Sequence, residues 1–302
     1  MQNASMTAEL IIDARNVTGE SPVWHPQENA LYWVDIPVGR LHRWQPDGQT
    51  HHWTADEMLG CIARSHRGHW LGAQESGIFH LTPQADGRLL AGKRASVEHA
   101  RPGMRLNDGR CDRQGRFWAG TMQTSMAAEP VGALYRYDAM ADGTAGPLQA
   151  RLGTLSVPNG MAFSPDGKTM YVSDSHPSVQ MIWAFDYDID SGSPHNRRVF
   201  VDMNQHPGRP DGAAVDAEGC YWICAIDAGQ VLRFTPDGKL DRALPLPVKK
   251  PTMCAFGGPQ LETLFVTSIR PQGIDLSDQP LAGGVFALTP GVKGLPEPIA
   301  KG

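Results

Sequence analysis

Six aromatic-rich segments recur along the chain on one plan. They are LYWVD from Leu31, WLGAQ from Trp70, FWAGT from Phe117, MYVSD from Met170, YWICA from Tyr221 and LFVTS from Leu264, starting 39 to 53 residues apart. Each is followed by a second β-rich run (RLHRW, GIFHL, GALYRYD, MIWAFDYD, QVLRF and GVFAL) and then by a turn such as QPDG, MADG or TPDG. Aromatic and β-branched residues favour strands, and clusters of Pro, Asp and Gly end them. A period of about 40–50 residues with four strands each is that of a β-propeller blade. One blade cannot bury both of its faces, whereas six packed radially can. The expected fold is all-β, a six-bladed β-propeller with four-stranded antiparallel blades around a central channel, with residues 1–302 as a single domain. A pair of β-sandwiches is the alternative, but sandwiches require no regular period.

The composition agrees with this plan. Thirty-three Gly and 24 Pro supply turns, and long 3.6-period apolar stripes are absent. Apolar content of 41% with 20% charged residues describes a soluble globular chain. A net charge of −5 argues against nucleic acid or an anionic membrane as the main partner. No uninterrupted apolar run approaches the ~18 residues of a membrane span. The first residues, MQNASMTAELIIDAR, lack the basic and apolar regions of a secretory signal, so a cytoplasmic location is expected. Cys61, Cys111, Cys220, Cys224 and Cys254 show no zinc spacing and read as buried free thiols of a reducing compartment.

Equivalent positions on the innermost strands of a propeller converge on its channel. Counting back from each aromatic strand, Glu20 lies 11 residues before Leu31 and Asp108 nine before Phe117. Asn159 lies 11 before Met170, and Asp211 ten before Tyr221. The second and sixth blades carry Leu59-Gly60 and Met253-Cys254 there, which supply no carboxylate. Three carboxylates in a low-dielectric pocket repel one another and shift their pKa values unless a cation compensates. The donors are hard oxygens, which suit Ca²⁺, Mg²⁺ or Mn²⁺ and are compatible with Zn²⁺. Asn159-Gly160 alone is a turn signal. In blade register the Asn159 amide becomes a neutral ligand candidate, while Gly160 is still expected to serve a turn. Arg105 and Asn107 flank Asp108 and, two apart in an extended run, share one face. Asp35 and Asp174 close equivalent strands and are expected to hold structure through backbone hydrogen bonds. His176 is the one histidine of interest as a substrate contact. The competing reading, that each polar residue merely caps a strand, weakens when four stand in register.

The motifs GESPVW, RLNDGRCDRQGRFWAGTM, PNG before YVSDS, FDYDIDSG, PDGAAVDAEGCYWI and FGG occur in that order. With them the chain resembles the gluconolactonase, senescence-marker-protein and regucalcin family of six-bladed propeller lactonases, over nearly its whole length. The resemblance implies one divalent metal ion held by Glu20, Asn159 and Asp211, Ca²⁺ foremost, with Zn²⁺, Mn²⁺, Mg²⁺ or Fe²⁺ as alternatives. It implies substrate contacts from Arg105 and Asn107, Asp211 as general base, and Asp108 as an outer-sphere partner of the metal. Members close to regucalcin carry a substrate-reaching glutamate shortly after the AGTM strand. Here AGTMQTSMAAEPVGALY is shorter, with Ser125 near the ungapped position and Glu129 or Gln123 as candidates for the role.

The implied activity is metal-dependent hydrolysis of a sugar aldono-lactone to its aldonic acid in sugar oxidation, by a monomer or weak homodimer. No Gly-x-Ser-x-Gly elbow supports a serine nucleophile. The alternatives are a phosphotriesterase-like hydrolase at the same metal and a non-enzymatic calcium-binding propeller. A cation and an amide beside hard ligands favour the enzyme.

Overall fold

Alternate residues of one strand bury themselves in two different hydrophobic clusters, and this determines the architecture. Along Tyr221–Ile226, Tyr221, Ile223 and Ala225 pack with Tyr171 and Ile182, whereas Trp222 and Cys224 pack with Phe256 and Val266 on the other face. The strand is covered on both sides, so it reads as a continuous apolar run rather than an alternating one. A computed structural model of the chain describes residues 7–66, 68–126, 129–140 and 144–301. Six four-stranded antiparallel sheets are present, and an apolar cluster fills each junction between neighbours.

The innermost strands are Gly19–His25, Leu59–Arg64, Met104–Cys111, Pro158–Phe163, Arg209–Val215 and Pro251–Gly257. Each touches the next, and the sixth touches the first, which closes a ring around the channel. All six predicted aromatic strands are the second strands of their blades, and all six predicted partner runs are the third. One element escaped the repeat count. The fourth strand of the sixth blade is Glu9–Ile12, from the opposite end of the chain, paired antiparallel with Val285–Leu288. Trp24 of the first blade stacks on Phe265 of the sixth at 5.6 Å across this closure. Among the described residues the only helix is one 3-10 turn, Met203–Gln205, and no helix is long and apolar enough to cross a membrane.

All six innermost strands lose pairing register near their starts, for example between Glu20 and Val23, Asn159 and Ala162, and Pro210 and Ala213. A bulge inserts unpaired residues and re-aims their side chains. Gly160 belongs to such a bulge. It has the left-handed φ of 59° expected of a turn glycine, but it sits inside a strand, so the expectation of a turn is corrected. A Cβ there would lie 2.6 Å from both Ser173 Oγ and Tyr221 Oη, so only glycine fits.

The five cysteines are free and buried, as expected. Asp35 accepts from the Val17 and Thr18 amides at 3.0 and 2.8 Å, and Asp174 accepts from Ser156 and Val157 at 2.7 and 3.0 Å. Both carboxylates therefore do the structural work assigned to them.

Candidate metal and substrate site

The innermost strands begin, and their neighbours end, at one face of the ring, and a cavity of about 240 Å³ opens there. Five blades line it; among the described residues the second contributes none. A Cβ at Gly60 of that blade would lie 2.5 Å from the Leu106 carbonyl, so the small residue lets the strand carrying Arg105 and Asn107 approach closely.

Glu20, Asn107, Asn159 and Asp211 all line the cavity and are almost fully buried. Arg105 lines it too and is less deeply covered. The walls are apolar, with Ile36, Met122, Val157, Ile226 and Ile269, while Arg209 and Lys250 stand at the more exposed rim. Asp108 does not line the cavity. It lies buried behind it, with Oδ2 accepting from Met161 N at 3.0 Å and Oδ1 without a hydrogen-bond partner among the described residues.

The amides form a relay through three blades. Arg105 Nη1 donates to Asn107 Oδ1 at 2.7 Å, and Asn107 Nδ2 donates to Asn159 Oδ1 at 3.0 Å. Asn159 Nδ2 donates to Ser175 Oγ at 2.8 Å, and that hydroxyl donates to the Pro210 carbonyl. The relay fixes Asn159 with its amide nitrogen engaged and leaves its oxygen one further lone pair. Ser175 was missed in the sequence reading. Its signal was its place directly after the structural Asp174.

The carboxylates are under-satisfied. Glu20 accepts one hydrogen bond, from Ser21 N at 3.1 Å, and the Asp211 carboxylate accepts none among the described residues. Burial pushes Glu20 well above the ordinary carboxylate range, and the charges of Asp211 and Asp108 push it further. Burial likewise raises Asp211 to about 8 against the opposing pull of Arg209, with Asp108 adding to the rise. Burial raises Asp108 to about 6, and the Met161 amide pulls it back. Buried carboxylates with spare lone pairs, beside a fixed amide oxygen, are a donor set that fits a hard divalent cation. Asp216, Glu218 and Cys220 also cluster tightly, but the Arg233 guanidinium already sits on Asp216 at 2.7 Å and on Glu218 at 2.5 Å.

These shifts predict a pH dependence for the metal-free protein. Both Glu20 and Asp211 hold protons more tightly folded than unfolded, so their contribution to stability is complete below the ordinary carboxylate pKa near 4. It is lost as pH rises, through about 8 for Asp211. The melting temperature of the chelated protein is expected to fall over that window, and the rise produced by added Ca²⁺ to grow with pH. A flat profile in both states would contradict the carboxylate cluster.

Two expected substrate contacts stand away from the cavity. Glu129 does not line the cavity; its side chain is 63% exposed and pairs with Arg101. Neither Gln123 nor Ser125 takes its place, because the chain turns after Gln123 and brings Met126 to the cavity instead. His176 lies behind that segment, its Nε2 against the Met126 carbonyl at 3.3 Å and its Nδ1 on Ser178 Oγ at 2.7 Å.

Residues 18–270 match the model of the SMP-30/gluconolactonase/LRE-like region. The chain belongs to that family. Within it, the chain is 40% identical to a 6-deoxy-6-sulfogluconolactonase of Pseudomonas putida, over 98% of this chain and 99% of that one. It is 33% identical to a pentonolactonase of Haloferax volcanii, covering 97% of each. A crystal structure described as a calcium-binding regucalcin of Agrobacterium tumefaciens superposes with a TM-score of 0.88 at 29% identity, covering 97% of each chain. Family membership accounts for the blade count and for the motif order together.

Proposed function

We propose that this protein hydrolyses a sugar lactone to its aldonic acid, with one divalent cation held by Glu20, Asn159 and Asp211. The observation that carries the reading is the cavity floor, where two buried carboxylates with little internal hydrogen bonding face a fixed amide oxygen and Arg105. Relatives named as lactonases for sugar acids support the substrate class, and a relative described as calcium-binding supports Ca²⁺ as the ion.

When bound, such a cation supplies Lewis acidity to a carbonyl oxygen and acidity to water. The chain's own residues do the rest. The Asp211 carboxylate takes a proton from water as its oxygen bonds to the lactone carbonyl carbon. The tetrahedral carbon then expels the ring oxygen, which takes that proton from Asp211 and becomes a hydroxyl of the aldonic acid. Arg105, anchored by Asn107 and by the Leu106 carbonyl at 2.9 Å, meets the oxygen on which negative charge develops. Asp108, one oxygen unpaired, steadies the floor from behind. The apolar walls keep bulk water from the reacting carbon.

Acid release from a panel of γ- and δ-lactones tests the reading. Activity is expected on at least one sugar lactone, to disappear on exhaustive chelation and to return with Ca²⁺, Mn²⁺ or Zn²⁺. Turnover that survives chelation would sink the metal-dependent mechanism. Turnover of phosphotriesters but of no lactone would favour the other hydrolase.

A further inference from the structure

Two cations at the cavity rim share one carboxylate. Arg209 Nε sits 2.8 Å from Asp227 Oδ2, and Lys250 Nζ pairs with Asp227 Oδ1. Asp227 is the only ion-pair partner of either among the described residues. Both cations line the cavity, and among the described residues the only carboxylates that line it are Glu20 and Asp211 at the floor. A divalent cation there neutralises those two. Arg209 and Lys250 then share Asp227 alone, a surplus of one positive charge at the rim. A pair built only for structure needs a single cation, and such partly exposed pairs add little stability.

The guanidinium is also fixed in place. Arg209 Nη1 donates to the Ser175 carbonyl at 3.1 Å, so Nε and Nη1 are engaged and Nη2 has no protein partner among the described residues. An Arg fork held this way suits the oxygens of a tetrahedral or planar acid group, with Lys250 as a second point charge. Asp227 adopts a left-handed φ of 77°, a conformation Asp tolerates, in the turn that carries its carboxylate to both cations. Arg209 stands two residues before Asp211 on one strand, roughly 7 Å of extended chain. Arg209 and Lys250 stand at the rim while Asp211 lies buried at the floor, so a group bound by the two cations sits away from the reacting carbonyl.

We propose that Arg209 and Lys250, braced on Asp227, form an anion subsite, so that the preferred lactone bears an acid group at the end remote from its carbonyl. The shared chemistry is a sulfonate, phosphate or carboxylate. The inference rests on the lactonase reading and names its substrate class.

The test compares kcat/KM for glucono-1,5-lactone with that for its 6-phosphate and 6-sulfonate analogues, and calorimetric binding of gluconate with that of 6-phosphogluconate. At least one acid-bearing lactone is expected to be preferred tenfold or more, and the better analogue separates a monoanion from a dianion. Arg209→Gln and Lys250→Gln are each expected to cut that preference several-fold. Should a variant fold poorly, the wild-type preference is expected to shrink between about 0.01 M and 1 M salt, as the Debye length falls from ~30 to ~3 Å. Equal rates on neutral and acidic lactones, or a preference untouched by both variants and by salt, would overturn the subsite and leave the lactonase standing. If no lactone is hydrolysed, tighter binding of 6-phosphogluconate that both variants weaken keeps the subsite and removes the lactonase. Equal binding of the two acids then removes both.

Discussion

Asp211→Asn is expected to lower lactone turnover by about a thousandfold or more. General-base assistance alone contributes roughly 10²–10⁴, and this substitution removes a ligand charge at the same time. The amide keeps the shape of the carboxylate, so a lost activity cannot be laid to lost packing. Two readouts separate the roles. Calorimetric affinity for Ca²⁺ should weaken, because one of two anionic donors has become neutral. The chelated variant should melt above the chelated wild type at alkaline pH, because the repelling charge that burial holds protonated up to about 8 is gone. Near-native turnover in Asp211→Asn would assign the proton transfer elsewhere. A chelated variant that melts no higher than wild type at high pH would deny that Asp211 is charged against its surroundings.

The largest expected effect on stability lies away from the cavity. Asp216 has no exposed surface and accepts from the Glu218 and Cys220 amides at 3.0 and 2.9 Å. It also accepts from Trp222 Nε1 at 2.8 Å and Arg233 Nε at 2.8 Å. Asp216→Ala leaves those donors buried without an acceptor and Arg233, itself almost fully buried, short of its central counter-charge. Removing one partner of a buried pair costs ~3–5 kcal/mol, far more than the pair is worth against an apolar replacement. A urea titration should show that loss. Asp216→Asn, which keeps an acceptor but loses the charge, should lose less. A loss below about 1 kcal/mol for the alanine variant would show that Glu218 and Asp241, which also reach Arg233, carry the charge by themselves.

Much of the site was legible from blade register, and the reason is local. Glu20 and Asn159 occupy matching places, each opposite the residue that precedes a strand-closing aspartate. Simple counting therefore brought them together. Asp211 sits within the bulge of its strand, one residue out of that count, and still lines the cavity because the bulge turns it inward. Asp108 comes one residue later in the corresponding bulge of the third blade, where Asn107 holds the place that matches Asp211, and it ends behind the cavity. Glu129 stands away from the cavity for a different reason: its segment leaves the regular strand after Gln123, and its carboxylate pairs with the exposed Arg101.

The sequence by itself determined the number of blades, the order of their inner strands and which blades could supply oxygen ligands. Those features depend on periodicity and on turn chemistry within about 50 residues, which a chain carries wherever it folds. Only the tertiary structure decided which side chains face the cavity, because bulges in six neighbouring strands aim them. It alone joined Arg105, Asn107, Asn159 and Ser175 into one relay, and set Arg209 and Lys250 on a single carboxylate. The first of these arrangements crosses from blade to blade, and the second ties the fifth blade to the approach to the sixth. Each exists only once the ring has closed and the channel has drawn these side chains out of bulk water.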